Sequence, residues 1–228
     1  METVRTLLAT ACAGVIFFVG SAASAQTFGP STYVQTSNSP FSVLDFTGGY
    51  FHLEDFEDGA LNTPGASALG GVVAGPSNFT DSVDADDGFI DGLGRNGHSY
   101  IANGFELEFV FSDAVLGNYP THVGIVWTDV GNTFGDIFGV SLVEVFAFDP
   151  DGVTIGFISS TVGDGRIDGT TADDRFFGFE HAGGIASLLL VMPNSQDWEV
   201  DHLQYGYVPE PATLALLGLS VVCLRRRR

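Results

Sequence analysis

The segment FELEFVF, from Phe105 to Phe111, constrains the fold more than any other part of the sequence. Its odd-numbered positions are large and apolar, whereas Glu106 and Glu108 occupy even-numbered positions. Successive side chains of a β-strand point to opposite faces of the sheet, so this period of two predicts a strand with one buried face. Because such a strand needs a second apolar layer to pack against, we expect a layered β-sheet domain.

Strand-like segments recur at short intervals along the rest of the chain. They are rich in valine and aromatic residues, and residues typical of turns separate them. The further predicted strands are Ser42–Phe46, Tyr50–Phe56, His122–Thr128, Val140–Phe148, Val153–Ser159, Arg175–Phe179, Ile185–Met192 and Trp198–Tyr207. The turn sequence Asp149–Gly152 predicts a β-hairpin between two of them. Leu61–Pro76 and Asp81–Gly97 are predicted loops.

This pattern predicts an all-β fold, either an antiparallel two-sheet sandwich or a jelly roll. A β-helix is the competing arrangement, but it requires a repeat of fixed period, and the sequence has none. The 20 phenylalanines and 30 glycines agree with a β-rich core that is joined by many turns. In the last predicted strand, regular alternation places Leu203, Tyr205 and Tyr207 on the same face as Asp201.

The amino end has the pattern of a secretory signal peptide. Arg5 lies in a short basic region, Leu7–Gly20 is an apolar run, and Ala23–Ala25 is a small-residue cleavage site. The apolar run is short for a transmembrane helix, and the small residues follow it where cleavage is expected. Export is therefore predicted, with Gln26 as the mature amino terminus.

The carboxyl end, VPEPATLALLGLSVVCLRRRR, combines three parts. They are the triplet Pro209, Glu210 and Pro211, the apolar run Ala212–Leu224, and the arginines Arg225, Arg226, Arg227 and Arg228. As a helix the apolar run would be roughly 20 Å long, at about 1.5 Å per residue, which is less than the ~30 Å hydrocarbon core of a bilayer. The arginines would hold its end on the cytoplasmic side. The prolines keep the preceding stretch extended.

These three parts, in this order, resemble the PEP-CTERM sorting signal of Gram-negative bacteria. The resemblance implies that an exosortase recognises the Pro-Glu-Pro triplet after transient insertion of the short hydrophobic helix into the inner membrane. It also implies that the processed protein resides in the cell envelope or outside the cell. A simple single-pass tail anchor is the alternative.

The two terminal signals leave one domain between them. We predict a signal peptide at 1–25, a polar leader or first strand at 26–45, a β-sandwich domain at 46–207 and the sorting signal at 208–228. Both cysteines, Cys12 and Cys223, lie in the terminal signals, so the domain has no disulfide to stabilise it. The net charge of −20 and the lack of lysine argue against a nucleic-acid partner, because phosphate contacts need basic residues.

Clustered carboxylates predict a structural calcium ion at one of two places. The first is the loop DSVDADDGFIDGLG, where Asp84 and Asp86 stand at alternate positions. Oxygen ligands at alternate positions, with glycine for a sharp turn, are what a calcium loop needs. The loop is not an EF-hand, because the twelfth position counted from Asp84 is Arg95. A solvated acidic loop whose aspartates cap turns is the alternative.

The second candidate pairs Glu57, near the first core strands, with Asp201 in the last strand. The segments LEDFEDG and EVDHLQYG, which contain these two residues, are similar to carbohydrate-binding modules of the jelly-roll type. That resemblance implies that an acidic residue near the first strand and an aspartate in the last one ligate a calcium ion. Solvent-facing charge on edge strands is the alternative.

The sequence contains no recognisable catalytic motif. The predicted domain lacks a cysteine nucleophile, a Gly-x-Ser-x-Gly elbow and a His-Glu-x-x-His zinc pattern. A pair of carboxylates of the glycosidase type stays open, because Asp and Glu are abundant. Trp127 and Trp198 are candidate ligand-binding residues, since an aromatic face near polar neighbours can stack on a sugar ring. Simple packing in the core is the alternative for both.

We therefore expect a non-enzymatic protein with a structural or binding role in the exopolysaccharide matrix or a biofilm. Its expected partners are the exosortase and either polysaccharide or surface proteins. The segments PTHVGIVWTDVG and TTADDRFFGFEHAGGI resemble uncharacterised exported proteins with the same sorting tail, and that resemblance implies no activity. Two alternatives remain: a glycan-active hydrolase that uses a carboxylate pair, and an inert surface subunit that self-associates.

Overall fold

The computed structural model describes residues 24–84, 94–129, 141–163 and 174–209. These residues form twelve β-strands in two antiparallel sheets, and their α-helical content is one turn, α1 (Asp113–Leu116). The predicted all-β antiparallel sandwich is therefore confirmed. Most of the predicted signal peptide and the apolar C-terminal run lie outside the described residues. Within the described ranges, no helix has the length and hydropathy needed to cross a membrane.

The larger sheet, sheet A, has seven strands and the smaller one, sheet B, has five. The order in sheet A is β1 (Gln26–Thr32), β10 (Arg175–Glu180), β7 (His122–Asp129), β12 (Glu199–Tyr207), β5 (Ser99–Ile101) and β4 (Val72–Ala74), and β2 (Tyr50–Glu54) also pairs with β12. The order in sheet B is β3 (Ala66–Leu69), β6 (Glu106–Phe111), β11 (Ser187–Val191), β8 (Ser141–Phe148) and β9 (Thr154–Val162). From β5 onward the chain changes sheet at each step except the β8–β9 hairpin, which is the connectivity expected of a jelly roll.

The main core lies between the two sheets. Leu107, Phe109 and Phe111 of β6 are buried there, and the glutamates of the same strand are not, so the alternating pattern predicted the inward face correctly. Apolar residues of β8 and β11 extend the layer in sheet B, and residues of β7, β10 and β12 face them from sheet A. The sandwich is therefore held by apolar burial, the dominant favourable term in folding.

The outer face of sheet A is covered as well. A second, smaller apolar cluster forms there from Tyr33, Phe41, Val83, Val126 and Phe176. Two chain segments supply the cover, namely the stretch after β1 and the stretch that follows β4. As a result all eight residues of β7 and the first eight residues of β12 are buried. By contrast, burial alternates along β8 of sheet B, whose outer face is open to solvent.

Two sequence-based predictions need correction. The predicted strand Ser42–Phe46 does not form: Pro40–Val43 is a short 3-10 helix, which the Ser39 side chain caps through the backbone N–H of Phe41. The predicted loop Leu61–Pro76 contains β3 and β4, which are only four and three residues long and carry no clear alternation. The segment at 26–45, predicted as a polar leader or a first strand, contains β1, which pairs with β10 in sheet A.

Candidate functional site

The two candidate ligand-binding tryptophans are core residues. Trp127 is 1% exposed and Trp198 is 0% exposed, and their rings stack on each other with centroids 4.6 Å apart. Each indole N–H donates to a backbone carbonyl, Trp127 to Asp129 at 3.1 Å and Trp198 to Gly104 at 3.0 Å. The prediction that these rings stack on a sugar is therefore wrong, because burial and the mutual stacking leave no free face.

Asp201 lies on the outer face of sheet A, and not on the face of Leu203 and Tyr205, where regular alternation placed it. The register of β12 against β7 shifts between Asp201 and Gln204, and His202 has a φ of +47°. This β-bulge places two consecutive side chains on one face. Leu203 and Tyr205 consequently remain in the main core, while Asp201 and His202 contact the outer layer.

The Asp201 carboxylate organises the loop above it. Its two oxygens accept from the backbone N–H of Val83 at 2.8 Å and from that of His202 at 2.6 Å. The residue is completely buried, and burial raises the pKa of its carboxyl to about 7. Both carboxylate oxygens of Asp201 are therefore hydrogen-bonded to the backbone of the same chain.

His202 connects three segments of the chain. Its Nδ1 lies 2.9 Å from the hydroxyl of Tyr33, and its Nε2 lies 3.1 Å from the carboxylate of Asp84. Burial acts to lower the pKa of His202, but the carboxylates of Asp201 and Asp84 outweigh it, so the pKa is raised. The ring thus joins the last strand to both covering segments.

Gln204 completes this outer network. Its amide donates to the Tyr33 hydroxyl at 2.9 Å, and its carbonyl oxygen accepts from the hydroxyl of Ser39. Tyr33, Ser39 and Gln204 are all buried. Because buried polar groups are costly unless they are paired, the network specifies how the first covering segment sits on the sheet.

Glu199, at the start of β12, holds the second covering segment. Its carboxylate accepts from the backbone N–H of Asp81 at 2.8 Å and from the hydroxyl of Ser99 at 2.5 Å. It is 3% exposed, and burial raises the pKa of its carboxyl to about 8. The sequence analysis did not single it out. The signal in the sequence was the presence of two carboxylates, Glu199 and Asp201, in one predicted strand.

Glu57 and Asp201 accept hydrogen bonds from adjacent residues of one loop, Ser82 and Val83. One oxygen of Glu57 accepts from the Ser82 hydroxyl at 2.9 Å and from the backbone N–H of His98 at 2.6 Å. Asp84 is turned toward His202, and Asp86 lies outside the described residues. Across the described ranges, no group of three or more His, Cys, Asp or Glu side chains is arranged to hold a metal ion. The two predicted calcium sites, Asp84 with Asp86 and Glu57 with Asp201, therefore stay predictions.

A groove opens at the end of sheet A where β7 begins and β10 and β12 finish. Its larger part has a volume of about 520 Å³ and is lined by Thr121, His122, Glu180, Ala182, Tyr207, Val208 and Pro209. A second part of about 260 Å³ shares Ala182 and Tyr207 with it and continues toward Asp113 and Tyr119. The groove leaves no signal in the sequence, because its residues come from four separate segments and none forms a local motif.

Pro209 packs against the end of the sandwich. The backbone N–H of Val208 donates to the Thr121 hydroxyl at 3.0 Å. The Pro209 ring lies over the Gly48–Gly49 turn, where a Cβ added to Gly49 would come within 3.0 Å of the proline Cδ and would collide with the carbonyl oxygen of Tyr207. Glycine is therefore required at this turn, and the chain leaves the domain with no free linker before Pro209.

The model of the PEP-CTERM protein-sorting motif matches residues 208–228. The chain carries a PEP-CTERM sorting motif. The predicted triplet and arginines all fall in the matched range, although only Val208 and Pro209 of that range are structurally described. The PEP-CTERM motif marks this chain as an exported protein that an exosortase sorts to the cell envelope or the exterior.

None of the curated proteins matches the PEP-CTERM chain in sequence. Among solved structures, it is similar to the K2 cleaved adhesin domain of Lys-gingipain, with a TM-score of 0.42, 9% identity, and coverage of 68% of this chain and 99% of that one. It is also similar to the CBM22-1–GH10 modules of Clostridium thermocellum xylanase 10B complexed with xylohexaose, with a TM-score of 0.35, 10% identity, and coverage of 70% and 28%. The likeness to TmCBM61 in complex with β-1,4-galactotriose has a TM-score of 0.30, 11% identity, and coverage of 68% and 95%.

Proposed function

We propose that this protein is a non-catalytic binding protein of the cell surface or the extracellular matrix, and that its sandwich binds polysaccharide. The sorting motif supports the location. The observation that carries the non-catalytic part is the use of the buried carboxylates. Asp201 and Glu199 each accept a hydrogen bond from a backbone N–H of a neighbouring loop, and the partly exposed Glu57 accepts one from His98.

Glu199 is the residue that a hydrolase would most resemble. A raised carboxyl pKa is common in general acids. However, Glu199 is 3% exposed and accepts from the backbone of Asp81, so within the described residues its carboxylate is covered by the chain itself. We assign its raised pKa to burial, and its role to holding the loop.

A paired binding and turnover assay tests the proposal. The full-length chain, purified in mild detergent, is incubated with a panel of bacterial exopolysaccharides, and retention and released reducing ends are both measured. We expect retention without turnover. Turnover that Glu199→Gln abolishes would establish the hydrolase alternative. Concentration-dependent self-association without retention of any glycan would establish the inert subunit.

Calcium remains a prediction that centres on the loop containing Asp84 and Asp86. A ligand that binds only the folded state adds about RT ln(1 + [L]/Kd), or ~2.7 kcal/mol at a hundredfold excess over Kd. Thermal melts with added calcium and then with chelator measure this effect. We expect a shift that Asp86→Ala removes and Asp201→Asn keeps, because both Asp201 oxygens already accept backbone hydrogen bonds. Equal melting temperatures with calcium and with chelator would contradict calcium binding.

A further inference from the structure

The groove beside Pro209 combines the features of a small-molecule site. Its two parts, about 520 and 260 Å³, together fall in the range of roughly 300–1,000 Å³ that ligand sites occupy. Ala182 and Tyr207 line both parts, so the two parts adjoin each other. It lies on the opposite end of β12 from Glu199, and it shares no residue with the buried network.

Tyr207 supplies a fixed aromatic surface in this groove. It pairs across the strands with Tyr50, and the two rings stack with centroids 6.2 Å apart and an angle of 25° between planes. The Tyr50 hydroxyl donates to the carbonyl of Asn118 at 2.7 Å, which holds the supporting ring in place. A braced, partly exposed tyrosine presents an apolar face with a polar edge, which suits the apolar face of a sugar ring.

His122 and Glu180 supply hydrogen-bonding groups next to that surface. They are directly opposite each other on β7 and β10, with His122 Nε2 3.8 Å from a carboxylate oxygen of Glu180. His122 is nearly buried, and its Nδ1 is engaged by the Thr121 hydroxyl at 2.9 Å. The Glu180 side chain is 43% exposed. A carboxylate and an imidazole at this spacing can bind the hydroxyl groups of one ligand from two sides.

The charge of the groove selects among saccharides. Among the described residues that line its two parts are the carboxylates of Glu180 and Asp113, and none of these described residues is a lysine or an arginine. The whole chain carries a net charge of −20. An anionic polysaccharide such as a polyuronate would meet like charge here and would lack the basic partners that carboxylates require. A neutral saccharide meets neither obstacle.

We propose that this groove is a binding site for a neutral saccharide, with Tyr207 as the stacking surface and Glu180 and His122 as the hydroxyl-binding pair. The inference rests on the proposed polysaccharide-binding function and adds the site and the class of sugar. Burial lowers the pKa of His122, against the opposing effect of Glu180, so its imidazole is neutral at neutral pH and can donate to or accept from a hydroxyl.

Calorimetry on the full-length chain in mild detergent tests the site. The probes are neutral cello-, xylo-, manno- and galacto-oligosaccharides, with oligogalacturonate as the anionic comparison. We expect at least one neutral probe to bind and oligogalacturonate not to bind. Tyr207→Ala and Glu180→Gln should each weaken that binding about tenfold or more, whereas Tyr207→Phe should keep most of it because the ring remains. Phe157→Ala removes an exposed aromatic ring from sheet B and is the matched control.

The outcomes separate the site from the function. Neutral-sugar binding that survives both groove substitutions would overturn the groove and leave the proposed function standing. Binding of oligogalacturonate in preference to every neutral probe would overturn the charge argument. Failure of all these probes, together with failure of the exopolysaccharide panel, would overturn both proposals. Because Tyr207→Ala also removes packing, Glu180→Gln provides the independent test, and melting curves verify that each variant is folded.

Discussion

The two faces of sheet A are both buried, but apolar packing stabilises the inner face and hydrogen bonds to buried polar groups stabilise the outer one. The inner face packs aromatic and aliphatic residues against sheet B, with the Trp127–Trp198 stack among them. The outer face buries Asp201, His202 and Glu199 under two covering segments, each tied down by hydrogen bonds. Apolar packing is indifferent to pH, whereas a buried carboxylate changes its free energy whenever it titrates. The same strand, β12, therefore contributes to one pH-independent layer and one pH-dependent layer.

The largest expected effect breaks the inner layer. Trp198→Ala should lower the free energy of unfolding by about 3–5 kcal/mol, because it removes a large buried side chain and the stacking partner of Trp127. Urea titrations at pH 5 and at pH 8 should show about the same loss. A loss that depends strongly on pH would show that the inner and outer layers are coupled.

The next effect probes the outer layer through pH. Burial raises the carboxyl pKa to about 7 in Asp201 and to about 8 in Glu199, so between about pH 4 and pH 8 the folded state binds more protons than the unfolded state. The free energy of unfolding should consequently fall as pH rises through that window, by a few kcal/mol. The raised pKa of His202 acts in the same direction, since its stabilisation is present at low pH and is lost as pH rises through the folded value.

Equilibrium unfolding from pH 5 to pH 9 measures this slope. Asp201→Asn should flatten it, because the amide keeps an acceptor for a backbone N–H and no longer titrates. An equally steep slope in Asp201→Asn would exclude this carboxyl as its source. A profile that rises over the same range would contradict the assignment for the whole outer layer.

A smaller effect tests how the first covering segment is attached. Tyr33→Phe removes the hydroxyl that contacts His202 and Gln204 and leaves the ring in the apolar cluster. We expect a loss of about 1–2 kcal/mol, which is typical when buried polar groups lose a partner. Ser42→Ala, at an exposed residue of the same segment whose hydroxyl donates to the carbonyl of Ser39, is the control and should cost less. Equal losses would show that the network does not hold this segment.

The smallest effect serves as a baseline for both buried faces. Phe157 is 48% exposed on sheet B and contacts Phe146 with ring centroids 4.7 Å apart. Phe157→Ala should cost about 0.2–1 kcal/mol, the range of a cross-strand pair on an open face. A loss as large as that of Trp198→Ala would mean that the outer face of sheet B is covered in solution.

Prediction from the sequence succeeded for the inward-facing residues and failed for the outer face of sheet A. Alternation identified the inward residues of β6, and turn chemistry identified the β8–β9 hairpin, because both signals are local. The outer face of β12 was predicted incorrectly, since the bulge at Asp201 and His202 depends on tertiary contacts with Val83 and Tyr33 and leaves no mark in the local pattern. The tryptophans were ambiguous for the same reason. A strand end predicts neither exposure nor burial until its opposing sheet is known.

Pro209, the first residue of the predicted sorting triplet, packs directly against the sandwich. The ring lies over the Gly48–Gly49 turn, and Val208 is still hydrogen-bonded to Thr121. The predicted triplet begins at Pro209 itself, so no spacer in the sequence separates it from the packed residue. An enzyme that binds the triplet while the sandwich is folded would therefore have its binding cleft in contact with the surface of the sandwich. The folded domain is a steric obstacle next to the triplet, and an enzyme that binds the triplet would have to accommodate the shape of the domain.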